Sequence, residues 1–184
     1  MAERRSLEFR AKLNLSANSP LPGRVLARHL GIVIISPEQV PGLSANDLKL
    51  LTEDCKWWSA GLLKSEKGTL ILLNTSHNPA RQESNIMHEI AHEDCGHEPV
   101  GFYQQPGCPF PLRSFDASHE GEAEYLGACL QIPRDGLLWA LKRRMTSAEI
   151  ANYFGASEEM VRYRRNTTGV DAQLSRRPQT LLRA

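Results

Sequence analysis

The chain has no long apolar run. Its longest, residues 31–35 (Gly-Ile-Val-Ile-Ile) and 70–73 (Leu-Ile-Leu-Leu), fall far short of the ~18 residues that span a bilayer, so no membrane-spanning helix is expected. The opening Met1-Ala2-Glu3-Arg4-Arg5 leads into polar residues and lacks the apolar core of a secretory signal. Cysteine is scarce. Cys55, Cys95, Cys108 and Cys129 are scattered, and no two form a Cys-x-x-Cys pair. This usage argues against a disulfide scaffold and suits free thiols in a reducing cytoplasm. Net charge is also nearly absent, at +1. The balance hides an asymmetry. Residues 1–133 hold 12 Lys and Arg against 16 Asp and Glu, a balance of −4; residues 134–184 hold 10 against 5, a balance of +5. Two regions with different partners are implied. The length of 184 residues, with 41% hydrophobic and 23% charged residues, suits one globular domain with a small appendage.

What the chain does have is His88-Glu89-Ile90-Ala91-His92, an H-E-x-x-H run. On a helix, residues four apart share a face, so His88 and His92 can aim two imidazoles at one ion. Glu89 is rotated about 100° from His88, beside the ligands, where a carboxylate can handle the proton of an attacking water. Ile86, Met87, Ile90 and Ala91 are apolar or small, which predicts a buried helix with its ligands turned to a cleft. Pro79 suits the helix start.

Catalytic zinc usually takes three protein ligands and keeps one position open. Manganese and iron also accept nitrogen and oxygen donors. His97 is the nearest third candidate, but a continued helix would put it about 140° from His92; beside Gly96 it reads as a helix end. Glu120 is the better candidate. It lies in a predicted second helix within residues 119–133, unbroken until Pro133, sharing a face with Glu124. Glu124 is expected to hold the free N–H of a ligand histidine. A thiolate from Cys95, Cys108 or Cys129 is the third possibility.

Elsewhere the pattern predicts a helix over 24–30, a buried strand over 32–35, a short helix over 44–51 capped by Ser44, and strands over 57–63 and 69–74. Strand 69–74 is expected to offer a free edge to an extended peptide. Trp57 and Trp58 read as core or sheet-face residues. The Pro-rich stretch 103–115 reads as a loop bordering the cleft, where Cys108 is a candidate to fill the metal's open position. Ser147, Gly155 and Ser157 punctuate a helix-turn-helix spacing over 146–165, and Arg162, Arg164 and Arg165 suit phosphates. The expected fold is α+β, a small antiparallel or mixed sheet packed on the metal-bearing helices. Its expected divisions are a flexible lead-in (1–20), a main domain (21–140), a helix-turn-helix-like region (141–171) and a disordered tail (172–184).

The chain resembles the ImmA/IrrE family of metallo-endopeptidases. The matching segments are Leu72-Leu73-Asn74, Arg81-Gln82, Met87–His92, Gly96-His97, and Glu120-x-x-Ala123 running to Leu130-Gln131-Ile132-Pro133. Where the family has Asp or Asn, Phe, Ala and an apolar residue, this chain has Glu124, Leu126, Gly127 and Gln131. The resemblance implies a zincin-like domain of gluzincin type, and a cytoplasmic zinc peptidase that cleaves a transcriptional repressor. His88, His92 and Glu120 would hold zinc and Glu89 would be the catalytic base. Tyr125, Tyr103, His97 and His119 are candidates for oxyanion or substrate contacts. The resemblance also favours a tail that packs on the peptidase domain over one that reads DNA. Two rivals stay open: a DNA-binding regulator with a structural metal, and a partner-binding protein of toxin–antitoxin kind.

Overall fold

The computed structural model describes residues 1–53, 58–65, 68–98, 101–103, 112–114 and 116–176. The architecture is α+β. A three-stranded mixed sheet carries β1 (Val33–Ile35), β2 (Ala60–Ser65) and β3 (Gly68–Leu73) in the order β1-β3-β2. β1 pairs parallel with β3, with Ile34 opposite Ile71. β2 pairs antiparallel, with Leu62 opposite Ile71. β3 is therefore the central strand. The expectation that it offers a free edge fails, because its backbone is paired on both sides. Its run Leu70–Leu73 is a continuously apolar stretch, as a central strand requires.

Helices α1 (Ala2–Lys12), α2 (Gly23–His29) and α3 (Ala45–Thr52) precede and interleave with the sheet. As expected, Ser44 caps α3, its hydroxyl accepting from the Asp47 amide at 3.1 Å. The long α4 (Pro79–Cys95) follows β3, and α5 (Ala117–Gln131) lies against it. Between them is a short antiparallel pair, β4 (Gly101–Tyr103) and β5 (Leu112–Ser114). The main core joins Phe9, Leu26, Leu62, Ile71, Ile86, Met87, Ile90, Leu126 and Leu130. Trp58 packs separately with Leu51 and Leu72, and its indole N–H donates to the Leu51 carbonyl at 3.1 Å. Trp57 lies outside the described residues.

The lead-in expected to be flexible is instead helical over α1, and Ser6, Phe9 and Arg10 are buried. The reason lies at the far end of α5, whose last carbonyls have no partner within the helix. Ser6 Oγ donates to the Cys129 carbonyl at 2.6 Å, and Arg10 Nη2 to the Leu130 carbonyl at 2.9 Å. Arg164 Nε donates to the Ile132 carbonyl at 2.8 Å. Cations also suit the negative end of a helix. Pro133 then ends the run.

The chain closes with α6 (Arg134–Lys142), α7 (Ser147–Phe154), α8 (Glu158–Thr168) and α9 (Val170–Ser175). They share a second core of Ile132, Leu137, Ile150, Phe154, Val161 and Val170. The expected boundary at 140 falls inside α6, and the tail expected to be disordered from 172 is helical to Ser175 with Val170 buried. α7 and α8 are joined through Gly155, whose φ of 64° suits glycine. Glu3 ties this region to α1: it accepts the Arg134 amide at 3.0 Å and pairs with the Arg164 guanidinium. Gln131, where the family has an apolar residue, donates to the Gly155 carbonyl at 2.9 Å. Among the described residues no helix is long and apolar enough to cross a membrane.

Candidate metal centre

α4 starts where the sequence says it should. Pro79 takes the first helical position, and Asn78 Oδ1 accepts from the Arg81 amide at 2.9 Å. The loop before it is pinned by Asn74, which donates to the Trp58 carbonyl at 3.0 Å and accepts from the Ser76 amide at 3.0 Å. His88 and His92 then share one face of α4. α5 starts at Asp116, whose carboxylate accepts from the Ser118 and His119 amides at 2.8 and 2.9 Å. The Ser118 hydroxyl and these amides hold the Asp116 carboxyl down at about 2. Glu120 falls in the first turn of α5, where the helix dipole favours a carboxylate.

The two helices bring three side chains together. His88 Nε2 lies 3.0 Å from His92 Nε2 and 3.2 Å from Glu120 Oε2; His92 Nε2 lies 3.7 Å from Glu120 Oε1. Ligands about 2.0–2.1 Å from a tetrahedral ion stand roughly 3.4 Å apart. The three distances straddle that value, so the donor set fits one face of a tetrahedron. Burial pushes both imidazoles down, His92 to about 3 with help from His88, His97 and His119; Glu120 offsets part of the effect at His88. Neutral imidazole is the state that binds metal. The cluster is closed at His92 (1% exposed) and open at Glu120 (49%), which leaves one side for water or substrate. Glu89 is buried on α4, one residue from His88.

The approach of the helices depends on Gly127. A Cβ there would stand 3.2 Å from the His88 amide nitrogen and Cα and from the Met87 carbonyl carbon. Glycine, where the family has alanine, thus lets α5 sit directly against the backbone that carries His88.

The remaining candidates divide. His97 does not face the open side. The helix ends at Cys95, Gly96 adopts φ 67°, and the His97 amide returns to the His92 carbonyl at 3.0 Å. Helical-wheel spacing fails past that turn, so His97 comes to lie against His92 rather than 140° away. Its Nδ1 is 3.0 Å from His92 Nδ1 and its Nε2 is 3.4 Å from Glu122 Oε2. The place expected for Glu124 beside a ligand histidine is taken by His97; Glu124 is exposed and touches His88 only through its charge. His119 stacks on His97, ring centroids 4.3 Å apart. Tyr125 faces away, lining a cavity with Arg5, Asp94 and Glu122 and lying 5.6 Å beneath the Arg164 guanidinium. Tyr103 ends β4, and its side chain, like Cys108 and the loop 104–111, lies outside the described residues. Of the other thiols, Cys129 is buried and pushed up to about 12, chiefly by burial. Cys95 is half-buried and pushed up to about 11, by burial and then by Glu122 and Asp94. Among the arginines expected to meet phosphates, Arg164 is buried and Arg165 is paired with Asp171 at 2.9 Å. Sequence reading missed Ser6, Arg10 and Glu122. A pattern search for apolar faces discards such residues.

Two histidines on one helix and a carboxylate on the next form a group that could hold a metal ion, with a glutamate beside the first histidine. The IrrE N-terminal-like domain model matches residues 27–166. The chain belongs to the ImmA/IrrE family of metallopeptidases. No curated protein and no solved structure matches it.

Proposed function

We propose that the protein is a zinc-dependent endopeptidase of the cytoplasm that cleaves a specific protein, such as a transcriptional repressor. The observation that carries the reading is the triangle of His88, His92 and Glu120, with Glu89 adjacent on the same helix. His88 Nε2, His92 Nε2 and one Glu120 oxygen would hold the ion. When bound, it supplies Lewis acidity that lowers the pKa of a water toward ~7 and polarises a carbonyl. Glu89 takes the proton of the attacking water and passes it to the leaving amine. The exposed side of Glu120 admits the peptide. β1 and β2 are the outer strands of the sheet, and either could pair with an extended substrate. The helices α6–α9 pack on the end of α5 through Arg164 and Gln131, and of the three arginines suited to phosphates Arg164 and Arg165 are engaged within the fold while Arg162 alone is exposed, which suits a docking region better than a DNA reader.

Two measurements test the reading. Elemental analysis of protein purified without chelator should give about one zinc per chain, lost in Glu120→Ala. Mapping of new protein N-termini in cells that express wild type or Glu89→Gln should give cleavages with wild type alone. No metal, or identical N-termini from both, would sink the proposal.

A further inference from the structure

Behind His92, on the side away from Glu120, a line of side chains runs His92–His97–Glu122. We propose that His97 is a positioning residue that sets the tautomer of His92, with Glu122 fixing the proton of His97. This rests on the metal-centre reading above.

Two facing ring nitrogens 3.0 Å apart share one hydrogen. A carboxylate only accepts, so Glu122, at 3.4 Å, holds the N–H of His97 at Nε2. Neutral imidazole has one N–H, which leaves His97 Nδ1 bare. That nitrogen accepts the hydrogen from His92 Nδ1, and His92 Nε2 is left bare toward His88 and Glu120. The reverse assignment sets a lone pair of His97 against Glu122 and covers His92 Nε2 with a hydrogen. His97 and His92 are 4% and 1% exposed, so water does not compete for the bond. Stacking on His119, at an interplanar angle of 12°, holds the His97 ring plane. Partners of this kind orient metal-binding histidines and raise their basicity.

Cys95, His97 and Glu122 also lie within 4.8 Å of one another, a second set of ligand types. His97 cannot serve both sets, because both of its nitrogens are committed in the line. The assignment therefore requires one ion per chain.

The test is cobalt titration of the full-length apo-protein in competition with a chelator, for wild type, His97→Leu, His97→Asn and Glu122→Gln. Melting of each apo-protein checks folding. Asparagine can place an acceptor near the position of Nδ1. The expected result is one equivalent in wild type and ten- to hundredfold weaker binding in His97→Leu. His97→Asn should return to within about threefold of wild type, with Glu122→Gln in between. Wild-type affinity in His97→Leu overturns the assignment, as does equal weakness in the leucine and asparagine variants. A second equivalent with a thiolate-to-cobalt band that Cys95→Ser removes overturns it too. Should His97→Leu not fold, an unchanged affinity in Glu122→Gln, at an exposed position, overturns the line. No uptake by folded wild type overturns the metal-centre reading itself, and the line with it.

Discussion

Removing the carboxylate of Glu120 leaves two neutral imidazoles with nothing anionic between them. Glu120→Ala should therefore lose the ion while the fold persists, because Glu120 is half-exposed and helical substitution to alanine is mild. Glu89→Gln is the complementary case. It should keep the ion and lower cleavage by about 10²–10⁴-fold, the usual contribution of a positioned base. Metal analysis and cleavage rate, measured on both variants, separate the two roles. His92 also makes stability depend on pH in the metal-free protein. Its folded value, about 3, lies below the unfolded 6.5, so the unfolded chain binds more protons between them. The stabilising effect of a neutral His92 is complete above pH 6.5 and is lost as pH falls toward 3. Urea midpoints of chelated protein from pH 7 to pH 4 should fall, and His92→Gln should flatten the fall. A slope unchanged by the substitution would refute the assignment.

The helices α4 and α5 are held from two sides, and each hold has its own signature. At Gly127 the facing atoms are backbone, which cannot swing aside as a side chain would. Alanine in a helix interior gains up to about 1 kcal/mol over glycine. Here that gain is offset by the shift α5 must make, so Gly127→Ala should weaken metal binding without raising the melting temperature. A stabilised variant with unaltered affinity would show the contact to be loose. At the other end, Arg10→Met leaves the Leu130 carbonyl buried without a donor, which costs about 1–3 kcal/mol. Chemical denaturation measures this directly. The sequence made α4 and the start of α5 legible because their signals are local: Pro79, the i,i+4 histidines, and acidic residues in a first turn. α1 was not legible. Its buried face is Ser6, Phe9 and Arg10, and two of these are polar residues whose burial makes sense only beside carbonyls 120 and 123 positions away. Glu122 was hidden for a related reason. It joins the site only through His97, and His97 joins only because Gly96 turns the chain back.

The described residues form three apolar clusters, yet the parts are not independent. Glu3 near the start and Arg164 far along the chain meet each other, and both brace the segment that follows α5. A chain cut after Arg143 retains His88, Glu89, His92 and Glu120 but loses the donor to Ile132 and the cover over Leu137. It should melt lower and bind metal more weakly than the full chain. Normal metal binding by the shortened protein would show that α7–α9 are an appendage. The α+β class was visible in the alternation of apolar runs and helical stripes. The division at 140 was not, because α6 runs across it with no break in its pattern.

The clamp on α5 also has a direction in time. A ribosome releases His88 and His92 first, then Glu120, and Arg164 forty-four residues later. At about 5–20 residues per second, roughly 2–9 s separate the last metal-facing side chain from the guanidinium that secures its helix. During that interval the growing chain holds His88, Glu89, His92 and Glu120 without the guanidinium that braces the end of α5. The side chains proposed to hold the metal therefore gain their brace only after they are made, once α8 has been added.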